Sequence, residues 1–272
     1  MPKAGTEQFR RYKEEAKPII MELLQDHSFL SHRSIQIILE QKKYWHTVTW
    51  NAIKDLKKEG KLRTAKYPPR GKHFPMWVYR YNLRLNDIKG QIDKEFKPLY
   101  KEFIEVSSGM GSHCEEIIEK ALTRVGFITL SRNQNTKYFR GKTYPDGKDL
   151  DIIAYKEGVF YGFEVKNLLA YPNWNEDIVK KKAVAEYHGI QFVMVNRTLG
   201  SYKWNLFRCG GLYIEFNRLI WAPKFSPLAK RLEEKLYFPI DCMDEPSEAL
   251  IREIKGIIFN HDKHFYGKGR IG

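Results

Sequence analysis

One stretch of the chain, residues 149–166, constrains the fold more than any other. It contains two apolar segments joined at Lys156-Glu157-Gly158, where the glycine can supply the positive φ that a tight turn needs. A hairpin that is symmetric about this turn pairs Tyr155 with Phe160. The sequence therefore predicts two antiparallel strands, and their apolar composition predicts that both faces are buried.

Two acids fall opposite each other near the end of this predicted hairpin. Continuing the same register places Asp151 opposite Glu164, and Asp149 opposite Lys166. Cross-strand neighbours lie about 5 Å apart at Cβ, where like charges repel. Glu164 and Lys166 are two residues apart on one strand, so their side chains leave the same face. A divalent cation between Asp151 and Glu164, with the ammonium of Lys166 beside it, would offset the repulsion.

The pattern of Asp151, twelve intervening residues and then Glu164-Val165-Lys166 resembles the core of the PD-(D/E)XK nuclease superfamily, which includes many restriction endonucleases and junction resolvases. The resemblance implies an α/β domain with a restriction-endonuclease-like mixed central sheet flanked by helices. It also implies Mg²⁺-dependent hydrolysis of DNA phosphodiester bonds, with Mn²⁺ able to substitute. The alternative interpretation of the same residues is a pair of cross-strand salt bridges on an exposed hairpin.

The resemblance assigns a role to each residue of the pattern. Asp151 and Glu164 would be metal ligands, with the carbonyl of Val165 as a further ligand. Lys166 would position the attacking hydroxide or neutralise charge that develops on the phosphate. The chain departs from the family pattern in one respect, because Leu150 rather than proline precedes Asp151.

The only literal Pro-Asp pair in this region is Pro145-Asp146, further upstream. Asp146 and Asp149 are therefore rival candidates for the first metal ligand. Asp151 is preferred because the apolar strand begins there.

A third acid, Glu115, lies on the apolar stripe of a helix predicted from Ser112 to about Val125. Many PD-(D/E)XK nucleases are similar here, with an acid near the start of the first helix and a Gly-aromatic pair eleven residues later. Glu115 and Gly126-Phe127 have that spacing, which implies that Glu115 assists at the metal site. Ser112 and Glu115 also have the spacing of a helix-capping box, and this second interpretation stays open.

Residues 1–84 predict a separate domain. Three helices at roughly 18–25, 31–41 and 46–60 precede β-like segments at 62–67 and 76–81, joined by a basic, proline-rich loop. This order resembles a winged helix-turn-helix domain, in which the third helix enters the major groove of DNA and the wing touches the backbone. The resemblance implies six DNA-binding residues: Trp50, Asn51, Lys54 and Lys57 on the third helix, and Arg70 and Lys72 in the loop. A winged helix that binds protein is the alternative.

The rest of the chain predicts a connector and one larger domain. Apolar residues at spacings of three and four predict a connector helix within 85–108, kinked near Pro98. Residues 109–272 then form the nuclease domain with a helical C-terminal extension. Within it, the loop 131–148 carries several cations, which suit either contact with a substrate strand or exposure to solvent. Three consecutive lysines at 180–182 are expected to face solvent, with phosphate contact as the alternative.

Composition narrows the class of partner. The 272 residues carry a net charge of +14, and residues 1–108 hold 22 Lys and Arg against 13 Asp and Glu. Such an excess of positive charge favours a polyanionic partner, most simply nucleic acid. An anionic membrane surface is also negatively charged, so composition alone does not separate the two. No apolar run is long enough to span a membrane. Three widely separated cysteines are typical of the reducing cytoplasm.

The pattern as a whole predicts a DNA endonuclease of restriction type. Two alternatives stay open: a nuclease specific for junctions or damaged DNA, and a DNA-binding regulator without catalysis. One centre of this kind cuts one strand, so a double-strand break needs two chains, and a homodimer is expected. The apolar face of the connector helix and the C-terminal helices are the surfaces expected to pair.

Overall fold

The computed structural model describes residues 6–68, 74–145, 148–200 and 202–261. The chain forms two compact units. The first contains Met1–Ser108 and Pro227–Phe238, and the second contains Gly109–Ser226 and Pro239–Gly272. None of the helices in the described ranges combines the length and the apolarity needed to cross a bilayer.

The first unit begins with three helices and a three-stranded antiparallel sheet in the order β1-β3-β2. Its elements are α1 (Glu7–His27), β1 (Phe29–Ser31), α2 (His32–Gln41), α3 (His46–Lys58), β2 (Leu62–Lys66) and β3 (Met76–Arg80). The hydroxyl of Ser31 caps α2 by accepting a hydrogen bond from Ser34 N at 2.9 Å. α1 is longer than the sequence predicted, because Pro18 lies inside the helix and Thr6 caps it.

The core of this unit lies between α1 and α3. The predicted inner stripe of α3 is confirmed, since Val48, Ala52, Ile53 and Leu56 are all buried. They belong to one apolar cluster with residues of α1, α2 and the sheet. This packing leaves the opposite side of α3 at the surface.

The helix predicted as a connector is part of the first unit. It consists of α4 (Leu85–Gln91), a π-helical turn (Ile92–Phe96) and α5 (Lys97–Ser107). The ring of Phe96 packs edge-on against Trp77 at 5.4 Å between centroids, and Tyr100 packs against Trp77 at 6.0 Å. The π-helical turn, just before Pro98, interrupts the α-helix near the position where the sequence predicted a kink. Since these apolar side chains are used inside the unit, they are not the pairing surface that the sequence suggested.

The second unit is built on a five-stranded sheet in the order β10-β9-β8-β7-β4. Its elements are α6 (Met110–Arg124), β4 (Ile128–Arg132), β5 (Tyr138–Phe139), β6 (Lys142–Thr143), β7 (Ile152–Lys156), β8 (Val159–Lys166), α7 (Lys180–His188), β9 (Gln191–Asn196), α8 (Tyr202–Arg208), β10 (Leu212–Glu215), β11 (Leu219–Trp221), β12 (Ile240–Cys242) and α10 (Glu248–His261). Between β11 and β12 the chain also forms α9 (Ser226–Leu236). β4, β7 and β8 are antiparallel, whereas β8, β9 and β10 are parallel. The sheet is therefore mixed, and the chain belongs to the α/β class.

The central hairpin has the predicted register. Tyr155 pairs with Phe160, and the turn residues Glu157 and Gly158 both have positive φ, 49° and 88°. The prediction that both faces are buried is also confirmed. Ile152 belongs to an apolar cluster with α6, and Ile153 belongs to a second cluster with α7.

One helix lies in a different unit from the one predicted. The sequence placed all of 109–272 in one domain, but Pro227–Phe238, which includes most of α9, belongs to the first unit. Phe238 is fully buried, and its ring lies 5.0 Å from Phe103 and 5.7 Å from Tyr100. Arg231 also forms a two-pronged ion pair with Glu102 at 3.0 and 3.3 Å. These contacts explain why the segment returns to α5.

Candidate active site

Glu164 is the most deeply buried charged residue of the central hairpin. It lies near the end of β8, and its side chain has no exposure to solvent. The ammonium of Lys166 lies 2.5 Å from Oε1, and the ammonium of Lys181 lies 3.0 Å from Oε2. Neither oxygen has a partner with hydrogen-bond geometry. Two ammonium groups therefore balance the charge of this carboxylate, but neither is oriented for a well-aligned hydrogen bond to it.

Asp151 lies beside Glu164 on the neighbouring chain segment. Its backbone N donates to the carbonyl of Phe163 at 3.0 Å, which extends the hairpin register by one residue. Its side-chain Oδ2 accepts a hydrogen bond from Val165 N at 2.6 Å. The Val165 amide thus holds the Asp151 carboxylate next to Glu164, as the register predicted.

The two acids share one electrostatic environment. Burial and the nearby charge of Asp151 raise the pKa of Glu164 to about 7. Burial also raises the pKa of Asp151, although the charge of Lys166 and the Val165 amide oppose the shift. For Lys166, burial lowers the pKa, but the charges of Glu164 and Asp151 outweigh it and leave the pKa above its ordinary value. Lys166 is therefore an ammonium at neutral pH.

Glu115 belongs to the same electrostatic group, and it is not part of a capping box. α6 begins at Met110 with Gly109 as its N-cap, so Ser112 lies inside the helix and caps nothing. Burial raises the pKa of Glu115, and the charge of Asp151 raises it further, whereas Lys166 lowers it. The charges of Asp151 and Lys166, both on the central hairpin, therefore influence the protonation of Glu115.

Lys181 is a site residue that the sequence interpretation missed, because it treated all three lysines of 180–182 as solvent-exposed. Besides Glu164, its ammonium contacts Asp149, at 2.7 Å from the carbonyl and 3.4 Å from Oδ1. A signal was available in the sequence. Lys181 precedes Val184 by three residues and Ala185 by four, so it shares their buried helix face.

The position of Asp149 also differs from the prediction. Strand pairing begins at Ile152, so the register does not carry Asp149 to a position opposite Lys166. Its side chain contacts Lys181 instead. Asp149 therefore lies at the edge of the group, bound to a lysine, and Asp151 is the acid beside Glu164. Asp146, the other rival, lies outside the described residues.

The donor set suits a hard divalent cation. Carboxylate oxygens are the ligands that Mg²⁺ prefers, and it is commonly held by one or two of them together with water and substrate phosphate. Within the described ranges no cluster of three or more His, Cys, Asp or Glu side chains is arranged to hold a metal ion. Asp151 and Glu164, with its buried oxygens free of hydrogen bonds, fit an open two-carboxylate site rather than a closed protein cage. In this structure the ammonium groups of Lys166 and Lys181 supply the positive charge.

The residues predicted to bind DNA lie on α3 of the first unit, as far as the structure describes them. Lys54 and Lys57 are exposed. Trp50 is half-buried, with its ring 5.7 Å from that of His32, and the ammonium of Lys54 lies 5.3 Å from the Trp50 ring. Asn51 donates to Thr47 O at 2.8 Å, so its side chain bonds its own helix. Arg70 and Lys72 of the predicted wing lie outside the described residues.

The acids of α3 are separated from its exposed lysines. Asp55 contacts Lys13, and Glu59 contacts Lys17 at 2.7 Å, so the acidic side is neutralised by α1. Lys54, Lys57 and Lys58 remain together on the exposed side. The predicted contact face therefore carries a net positive charge.

Comparisons of the chain with protein-family profiles, with curated proteins and with solved structures gave no match.

Proposed function

We propose that this protein is a metal-dependent DNA endonuclease. One observation carries the proposal: the carboxylate of Glu164 is fully buried at the end of a hairpin, beside Asp151, with the ammonium groups of Lys166 and Lys181 at 2.5 and 3.0 Å from its oxygens. A buried charge of this kind is costly to the fold, and strongly shifted carboxylates cluster at functional sites. The arrangement matches the acid-acid-lysine pattern in the sequence.

Each residue has a role that follows from its surroundings. Asp151 and Glu164 would hold the divalent cation, with Glu115 assisting and the Val165 carbonyl as a further candidate ligand. A bound Mg²⁺ would polarise the scissile phosphate and lower the pKa of a water molecule. The Val165 amide orients Asp151 through its bond to Oδ2.

The raised pKa of Lys166 argues against a role as general base. An ammonium whose pKa is raised by Glu164 and Asp151 does not accept a proton near neutral pH. A general base must be unprotonated at the working pH. Both suggested roles of Lys166 use the ammonium form: positioning the attacking hydroxide, and electrostatic stabilisation of the charge that develops on the phosphate.

The first unit supports DNA as the substrate. Its element order and the sheet order β1-β3-β2 resemble those of a winged helix, whose third helix reads DNA. On α3 the exposed lysines Lys54 and Lys57 would contact the duplex. The half-buried Trp50 and the self-bonded Asn51 are less free to reach bases than the sequence suggested.

Plasmid cleavage tests the proposal. The purified chain should nick or cut DNA with Mg²⁺ or Mn²⁺, and EDTA should abolish the activity. Glu164→Ala should remove cleavage while gel retention of DNA persists, and Glu59→Ala is the matched control because Glu59 also contacts two lysines. Undiminished cutting by Glu164→Ala would disprove the site, and a chain that binds DNA but never cuts would favour the regulator.

The type of target and the number of chains need separate assays. We propose a duplex target. Cleavage of a panel of duplex, methylated duplex, four-way junction and flap substrates would distinguish a duplex-specific enzyme from a structure-specific nuclease.

A direct double-strand break requires two centres and thus a homodimer. Mixing the parent with excess Glu164→Ala chain should then accumulate a nicked intermediate. Direct linearisation by a chain that light scattering shows to be monomeric on DNA would contradict the two-chain scheme.

A further inference from the structure

In the loop 131–148, which runs from the end of β4 towards β7 and stops short of Asp149, cations outnumber acids. Residues 131–148 contain five Lys and Arg and one acid. Within it β5 and β6 form a small hairpin, with Tyr138 opposite Thr143 and Phe139 opposite Lys142. Its two-residue turn has φ of 50° at Arg140 and 76° at Gly141, the sign that a tight hairpin turn requires.

The base of this hairpin is bonded to the backbone next to Asp151. Thr136 is fully buried, and its hydroxyl accepts from Leu150 N at 2.9 Å while lying 2.6 Å from Leu150 O and 2.7 Å from Asn133 O, to either of which it can donate. Asn133 N donates to Asp151 O at 2.9 Å. The hairpin is therefore attached directly to the strand segment that carries the proposed metal ligand.

One face of the hairpin is packed and the other is open. Phe139 packs edge-on against Phe160 at 5.5 Å and His188 at 6.1 Å, and the guanidinium of Arg140 lies 4.0 Å from the Phe160 ring centre. Tyr138 on the opposite face is 63% exposed. The aromatic contacts hold the hairpin in place. Because Lys142 pairs with Phe139, its exposed side chain leaves the same face, at the margin of these contacts.

Two lysines of this segment, Lys137 and Lys142, differ from the lysines of α7 in their ion pairing. Within the described part of the chain neither Lys137 nor Lys142 forms an ion pair, whereas Lys180 pairs with Glu176 and Lys182 with Glu186. The lysines of α7 are thus neutralised locally and those of the hairpin are not. On β8 the hairpin packs at Phe160, four residues and about 13 Å along the strand from Glu164. Unpaired cations at that distance are complementary to a polyanion that extends past the carboxylates.

We infer that the β5–β6 hairpin and the turn before it bind the DNA backbone to one side of the scissile phosphate, through Lys142 and Lys137. The inference rests on the proposed function, because the ligand is the same DNA. It adds a second DNA contact within the catalytic unit itself, independent of α3. Each phosphate contact releases counterions, so its loss reduces the dependence of binding on salt.

The test uses the full-length chain carrying Glu164→Gln, which keeps the DNA intact. Anisotropy of a labelled duplex gives the association constant over a range of salt concentrations. Adding Lys137→Gln and Lys142→Gln should lower the slope of log K against log salt by up to about 2, at roughly 0.9 for each phosphate contact. The matched control is Arg252→Gln with Lys255→Gln, two exposed cations on α10, which packs on the opposite edge strand β10. The control should leave the slope unchanged.

Two results would overturn the inference: an unchanged slope in the hairpin variant, or an equal loss in the control. Thermal melting of each variant verifies that the fold is kept. The two proposals fail in different ways. Parent chain that cuts DNA without dependence on the hairpin would disprove only the hairpin contact, and hairpin-dependent binding without any cleavage would disprove only the nuclease.

Discussion

Two glutamates, one in each unit, have nearly the same partners and opposite properties. Glu59 contacts Lys17 at 2.7 Å and Lys61 at 2.8 Å, and Glu164 contacts Lys166 at 2.5 Å and Lys181 at 3.0 Å. The lysines lower the pKa of the surface carboxylate Glu59 to about 2. Burial raises the pKa of Glu164 to about 7 despite its lysines.

The comparison separates the effect of partners from the effect of solvent. Two ammonium groups stabilise a carboxylate that water also solvates, but here they do not repay the full cost of removing one from water. An ion pair seen in a structure therefore does not reveal whether it stabilises the fold. Burial, rather than the number of lysine partners, determines the direction of the pKa shift. The buried carboxylate, Glu164, is the one to which we assign a catalytic role.

The sharpest test of this distinction replaces one lysine from each pair. Lys166→Ala should reduce DNA cleavage by about 10²–10³-fold, because an electrostatic stabiliser of the transition state is lost. Lys61→Ala, at an exposed ion pair, should leave cleavage unchanged. Single-turnover rates on the same duplex measure both. Equal activity of the two variants would remove the functional distinction between the glutamates.

The pH dependence of stability should have opposite signs at the two sites. Because the pKa of Glu164 is raised, its contribution to the free energy of unfolding is complete below the ordinary pKa of 4.5. This contribution is lost as pH rises to about 7. Relative to Glu164→Gln, the parent in EDTA should lose about 3 kcal/mol of unfolding free energy over that range. Relative to Glu59→Gln, the parent should lose stability as pH falls from 4.5 towards 2. Urea unfolding across pH measures both, and slopes of the same sign would contradict the comparison.

Substitution of Glu115 tests whether the group of interacting carboxylates around Glu164 includes this residue. Since Ser112 does not cap α6, Glu115→Gln should cost little stability, but it should reduce cleavage by about 10–100-fold, the usual loss for a residue that supports a metal site. The exposed neighbour Glu116 is the matched control, and Glu116→Gln should be silent. Cleavage rates and melting temperatures of the two variants together show whether the acid acts in catalysis.

Lys181 should give the smallest of these effects. Lys181→Met removes one of the two cations at Glu164 and should strengthen Mg²⁺ binding, because a competing charge is gone. Isothermal titration of the metal measures this directly. Lys182→Met, which breaks only an i,i+4 ion pair with Glu186, should leave metal affinity unchanged. Weaker metal binding by the Lys181 variant would mean that the lysine organises the site instead of competing with the ion.

Local patterns predicted the central elements because each pattern had one physical solution. The turn at Gly158 and the apolar runs on either side allow one register, and Tyr155 opposite Phe160 follows from it. The inner stripe of α3 follows in the same way from its period of 3.6. Glu164 beside Asp151 is a consequence of the register, so this part of the site was predictable.

The missed features depend on contacts between distant segments. Thr136 bonds Leu150 across a loop, and nothing local distinguishes it from any other threonine. β1 is three residues long and exists because β3 pairs with it. The helix 226–236 has an ordinary amphipathic pattern, and its partner is decided by the fit of Phe238 against Phe103. Tertiary packing selects among such options, and sequence spacing does not.

The return of residues 227–238 to the first unit has a consequence for synthesis in the cell. The ribosome releases Tyr100 and Phe103 long before it releases their partner Phe238. At usual rates of translation the interval is on the order of ten seconds. During it the strands from β4 to β10 have all emerged, so the sheet that carries the carboxylates can form first. The first unit, although most of it precedes the second, therefore keeps part of its apolar surface uncovered until residue 238 is released, and a holding chaperone has time to bind it.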